Sequence, residues 1–233
     1  MSKPHSATSG LRSPGRRDNP SIQENYAMTL KTLRRIAGAI PTTALNPARS
    51  ALILIDFQME YFTGKLPLPD GQKAVANAAK LVDWADRSSI PVVHVGHAAP
   101  SPVSPLFPSG SERIAFHPLV TPKPRHQCIT KTLPSSFVKT RLDAWLRANA
   151  IDTLLICGLM THMCVESTAR NALSLGYKVL VPGDACATRD LPAYDGRSVV
   201  GHQDLQRASL TALADRFAEV MDSNAILNLA LAP

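Results

Sequence analysis

Five consecutive apolar residues, Ala51-Leu52-Ile53-Leu54-Ile55, run straight into an acid, Asp56. A strand with one wet face alternates apolar and polar residues. A strand that is apolar at every position must be covered on both sides, as in a parallel sheet between helices. The pattern recurs at Pro91–Val95, Thr153–Cys157 and Lys178–Pro182, with a shorter strand at Gln127–Thr130 and a last one at Ala218–Met221. Helical spacings separate them. Lys73–Arg87 places Val75, Ala78, Ala79, Val82 and Ala85 on one side, and Ser136–Asn149 turns Phe137, Leu142, Trp145 and Leu146 inward. Cys164–Leu175, ended by Gly176, and Gln203–Ala218 follow. This alternation predicts an α/β three-layer sandwich, with a mostly parallel central sheet of about six strands and helices on both faces.

Composition fits one large domain. The chain has 233 residues, 45% hydrophobic and 18% charged, which excludes disorder throughout and a coiled coil. No apolar run is long enough for a membrane helix, and four cysteines do not make a disulfide scaffold. The net charge of +7 sits mostly in residues 1–49, which hold eight Lys or Arg and two acids. The rest is near neutral, so no nucleic-acid groove and no membrane partner are expected. Residues 1–45 read as a basic N-terminal extension, disordered over 1–25 with a weak helix over Met28–Ile40; residues 46–233 read as the domain. No apolar h-region follows the N-terminus, so a cytoplasmic location is expected.

One segment breaks the alternation: Ala98–Pro124 contains seven prolines. A loop this long in a compact domain is usually functional. It follows the second strand, so it should lie over the carboxyl edge of the sheet, where open α/β folds bind ligands.

The candidate chemistry gathers at that edge. Asp56 ends the first strand and faces the mouth of the sheet, or else caps a loop. Cys164 follows a strand and a tight turn, Gly158-Leu159-Met160-Thr161-His162-Met163, and falls in the first turn of a helix. Free N–H groups and the dipole there favour a thiolate, with Thr161 as the expected N-cap. Lys131 follows Cys128-Ile129-Thr130 and by itself reads as a surface lysine, and Lys123, Arg125 and Lys139 read as solvated. Cys157 reads as a buried apolar residue, and Cys128 and Cys186 have no special setting. His94 and His97 could ligate a metal, but partner ligands are missing between Gln58 and Lys73. The preferred reading is a packed His94, a pocket-lining His97 and no metal; His162 points either way.

Three stretches together make a recognisable pattern: Ala51–Gln58; Lys131-Thr132-Leu133-Pro134-Ser135-Ser136-Phe137 with Thr140 and Leu142; and Gly158–Ala187 with Thr161, Cys164-Val165, Thr168-Ala169, Ala172, Gly176-Tyr177 and Asp184-Ala185. The chain resembles the isochorismatase-like cysteine hydrolases over roughly residues 48–222, with streptothricin-hydrolase-like amidases among the nearest members. The resemblance implies a catalytic group of Asp56, Lys131 and Cys164 and a cis peptide at Leu159–Met160. It also implies an oxyanion site made by the Met160 and Cys164 N–H groups. Phe57, Tyr61, His97 and Phe137 are the candidate substrate contacts. The metal-binding Asp-x-His of the family's nicotinamidases is absent, so no cofactor is expected. Cys164 favours attack on a carbonyl over the vinyl-ether cleavage of isochorismatases proper, which would use Asp56 without the thiol. The expected activity is hydrolysis of a C–N bond (amide, lactam or ureide) in a small-molecule substrate through a thioester, by a homodimer or homotetramer. The alternative of another class is a non-catalytic scaffold with a basic interaction tail.

Overall fold

The computed structural model describes residues 30–232. The expectation of disorder over 1–25 lies outside these residues. One compact unit runs from Thr32. The stretch before residue 46 is therefore joined to the domain from Thr32 onward. Leu33 N–H donates to Asp215 and Thr42 N–H to Glu219, while Ala44–Leu45 pairs in parallel with Ala230–Leu231. Of the helix expected over Met28–Ile40, residues 33–36 are helical, and the chain leaves the helix before Gly38, which sits at φ 85°.

The central sheet holds seven strands: β1 (Ser50–Ile55), β2 (Val92–His97), β3 (Gln127–Lys131), β4 (Thr153–Leu159), β5 (Lys178–Pro182), β6 (Cys186–Ala187) and β7 (Glu219–Met221). Their order is β7-β5-β4-β1-β2-β3, with the short β6 also pairing with β4, and every pair is parallel. Every residue of β1 and β4 is buried, as an apolar run covered on both faces requires. The covering helices are α1 (Gly71–Arg87), α2 (Leu142–Ala148), α3 (Glu166–Ser174), α4 (His202–Arg216) and the short α5 (Ser223–Leu227). Helix α1 packs with α5, and α3 with α4. Arg147 of α2 donates to the Leu175 carbonyl just past α3. Right-handed crossovers put α1 on one face and α2 and α3 on the other.

The helix expected over Ser136–Asn149 begins only at Leu142. Side chains take up the backbone groups that an earlier start would need. Ser136 N–H donates to Thr168 Oγ1, Thr140 Oγ1 donates to the Ser136 carbonyl, and Lys139 sits at φ 56°. The strand Cys186–Ala187 and an antiparallel hairpin pairing Leu191–Pro192 with Val199–Val200 have no counterpart in the sequence reading.

Chain order reverses between β1 and β4. The strands run from β1 outward to β3, then return to β4 on the other side of β1. A crevice therefore opens where their carboxyl ends diverge. Gly158 closes the pair at that point, opposite Ile55 and at φ 148°. A Cβ on Gly158 would lie 2.2 Å from the Ile55 carbonyl oxygen. Gly158→Ala should therefore force β1 and β4 apart and destabilise the protein by about 3 kcal/mol or more, read by urea denaturation. A loss below about 1 kcal/mol would show that the strands yield.

Candidate active site

Three strand ends converge at the crevice. Asp56 follows β1, Lys131 is the last residue of β3, and Cys164 follows β4 within a π-type turn, Thr161–Val165, that leads into α3. The chain turns sharply at Asp56, which adopts φ 55°, a conformation Asp tolerates better than most residues. Lys131 Nζ lies 2.7 Å from Asp56 Oδ2, with both side chains inaccessible to water, and donates to Cys164 Sγ at 3.3 Å. Strand β2 separates β1 from β3, so the two strand ends stand about 10 Å apart. A four-carbon stem buried against the sheet is long enough to carry a charge across that gap.

The sequence expectation of a helix N-cap at Thr161 is not met. Met160 holds the cap position without a side-chain cap bond, and the Thr161 hydroxyl is buried without a partner among the described residues. The turn is held from the other side, where Thr168 Oγ1 donates to the Cys164 carbonyl at 2.7 Å. The Leu159–Met160 peptide is cis, as the resemblance implies.

Burial dominates the electrostatics. It works against the Lys131 charge, but Asp56 and Cys164 together hold the lysine pKa above its ordinary value. At Cys164, burial and then the Asp56 charge push the thiol up to about 12, while Lys131 pulls the other way. The helix terminus read from the sequence favours a thiolate, and burial outweighs it here. The Cys164 side chain therefore rests as a thiol at neutral pH. Among the described residues no hydrogen-bond donor is aligned on either Asp56 oxygen, although Oδ2 has its ion-pair partner in Lys131.

Cys164 opens on a cavity of about 390 Å³. Its walls are largely apolar, formed by Tyr61, Leu66, Pro105, Leu106, Phe107, Pro134 and Met163, with Met160 beside the cysteine. Tyr61 and His97 line it, as the sequence suggested. Phe57 and Phe137 do not. Phe57 is turned into the core at 1% exposure, and Phe137 stacks on Tyr177 at 5.9 Å. The proline-rich loop contributes residues 104–107 to the wall, over the carboxyl edge.

The structure adds Arg189, to which the sequence reading gave no role. It lies two residues past β6 and lines the cavity, and its Nε is buried without a partner among the described residues. Recognising β6 as a strand beside β4 would have placed it here. His162 does not line the cavity, and its Nδ1 meets Thr188 Oγ1 at 2.5 Å.

The two histidines of β2 part company, since residues three apart on a strand point to opposite faces. His97 Nδ1 lies 3.4 Å from Lys131 Nζ, and burial followed by the lysine charge lowers its pKa. His94 is packed inside, 2.9 Å from His126 Nδ1, and His126 Nε2 reaches Asp86 at 3.0 Å. Lys123 and Arg125, expected to be simply solvated, also pair with Asp86 at 2.6 Å each. Among the described residues no group of three or more His, Cys, Asp or Glu side chains is arranged to hold a metal ion. Nor is any helix among them long and apolar enough to cross a membrane.

Two measurements follow. Burial, then His126, lowers the His94 pKa from 6.5 to about 4. The unfolded chain thus binds more protons between those values. Stability should be complete above about pH 6.5 and fall toward pH 4 by up to about 3 kcal/mol, and His94→Gln should flatten that slope in urea titrations. Second, Asp56→Asn removes a charge that raises the Cys164 pKa, so the thiol should titrate at lower pH and alkylate faster at pH 8. Peptide mapping across a pH series checks this, and slower alkylation would contradict the electrostatic assignment.

Comparison with known proteins identifies the family and the fold. The family model described as the Isochorismatase domain matches residues 50–225. The isochorismatase family protein YddQ of Bacillus subtilis is 35% identical over 179 residues, covering 76% of this chain and 98% of that protein. A streptothricin hydrolase of Streptomyces noursei is 33% identical over 195 residues, covering 83% of this chain and 76% of its own. Among solved structures, a cysteine hydrolase from Pseudomonas syringae pv. phaseolicola superposes with a TM-score of 0.76 at 27% identity, covering 86% of this chain and 97% of that one. Matched from the first residue of β1 into α5, and built on the same sheet, the chain belongs to the isochorismatase family of hydrolases.

Proposed function

We propose that this chain is an amidohydrolase that cleaves a C–N bond in a small molecule through a thioester on Cys164. The observation that carries the reading is the Lys131 ammonium in contact with both the Asp56 carboxylate and the Cys164 sulfur at the cavity. Asp56 takes the thiol proton as sulfur attacks the carbonyl carbon, and Lys131 stabilises the sulfur while it carries charge. The N–H groups of Met160 and Cys164 receive the oxyanion. Asp56 passes its proton to the departing amine and then takes one from the water that attacks the thioester. Thioester cleavage returns a proton to the sulfur. A thiol that rests protonated and loses its proton only as bond formation begins is consistent with the raised pKa. The likeness to a cysteine hydrolase also supports hydrolysis by a cysteine, and the likeness to a streptothricin hydrolase supports a small-molecule substrate.

The cavity narrows the substrate class. Apolar walls fit an apolar body, and the Arg189 charge lining the same cavity fits an anionic group on the same molecule. The favoured substrates are amides, lactams or ureides that carry a carboxylate.

A screen over small amides, ureas and lactams, with and without a carboxylate, tests both levels. Cys164→Ala should abolish turnover. Wild-type turnover in that variant would favour vinyl-ether chemistry using Asp56 alone. Arg189→Met should raise KM for anionic substrates by about 10- to 100-fold and leave neutral ones nearly unchanged. Equal effects on both classes would remove the anion assignment.

A further inference from the structure

Glu60 is a fully buried carboxylate that the chemistry above does not use. Its Oε1 accepts the Lys65 N–H at 2.7 Å, and its Oε2 accepts the Phe107 N–H at 3.0 Å. The Arg113 guanidinium lies 3.2 Å from Oε2 and also donates to the Pro105 carbonyl at 3.2 Å. One carboxylate thus joins three separate stretches of chain, and two of them are cavity walls. Tyr61 directly follows Glu60 and Leu66 directly follows Lys65 in sequence, and Phe107 ends the loop segment 104–107. Phe107 sits at φ 48°, and its ring meets Tyr61 and His97 edge-on at centroid distances of 5.2 and 5.0 Å. Gly64 lets the chain wrap closely, since a Cβ there would lie 2.5 Å from Glu60 Cα and 2.9 Å from its Oε1.

Contacts among apolar walls are non-directional and would tolerate several spacings. A buried carboxylate is costly unless every acceptor site is met, so it favours a single arrangement. The prolines around 100–108 leave that loop few conformations of its own, and one tether is enough to place it. We propose that Glu60, with Arg113, is the specificity-determining clamp of this cavity: it fixes the distance between the 61–66 wall and the 104–107 wall and so sets the largest group that can reach Cys164. Glu60 is a positioning residue and takes no part in bond making. The inference rests on the cavity being the substrate site, and thiol labelling reads the cavity whether or not any amide is hydrolysed.

The experiment compares labelling of Cys164 by iodoacetamide and by N-benzylmaleimide at pH 8.5, resolved by peptide mapping, in the wild-type protein, Glu60→Gln and Arg113→Met. Losing charge-assisted bonds to the loop should raise the ratio of bulky to small labelling by about tenfold in Glu60→Gln, with the iodoacetamide rate held within about twofold. Arg113→Met, a change at a partly exposed residue, should move the ratio the same way and decides the matter if Glu60→Gln does not fold. Amide hydrogen exchange should quicken at residues 104–107 and at Lys65, with β1 and β4 unchanged. An unchanged ratio together with unchanged exchange at 104–107 would overturn the proposal. So would equal acceleration of both reagents, which marks general loosening.

Discussion

An ammonium and a carboxylate meet at 2.7 Å with no access to water at the carboxyl edge of the sheet. Such a pair offsets its desolvation only if the geometry is good, and removing either partner leaves an uncompensated buried charge. Much of the local structure serves that condition. Gly158 lets β4 approach β1 more closely than any side chain would allow. The positive φ of Asp56 turns the chain at the strand end, and the length of lysine carries charge past β2. Cys164 is the third member, and its thiol is kept protonated by the same burial that makes the pair costly.

The sheet was largely legible in the sequence because its signal is unambiguous. Runs such as Ala51–Ile55 and Thr153–Cys157, bounded by helical spacings, leave few ways to be covered. Asp56, Lys131 and Cys164 were legible for a different reason. No periodicity marks Lys131 as anything but a surface lysine, and only the surrounding motifs single it out. The structure brings the three side chains together.

What escaped the sequence depends on contacts between distant segments. The late start of α2 follows from bonds made by Thr140 and by Thr168, the latter 32 residues from its partner Ser136. Arg189 reached the cavity through a two-residue strand too short to show a pattern. Phe57 and Phe137 are apolar residues near the right positions, but proximity in sequence does not decide which way a ring turns. How far the Cys164 pKa rises was not readable either, because a helix terminus is visible in a sequence, whereas the depth of burial that outweighs it is not.

The division between sheet and loops has a consequence for how such a protein changes over time. Asp56, Lys131 and Cys164 stand on or just beyond the ends of β1, β3 and β4, where a shift of one residue would disturb the core. Much of the cavity wall belongs instead to excursions, at 61–66, 104–107 and 189, whose backbones are not part of the sheet, although His97 is the last residue of β2. Insertions or replacements in those excursions can alter what is accepted while the bond-breaking step stays as it is. On the proposed chemistry, the wall that selects a ligand and the groups that act on it therefore sit on separable parts of the chain.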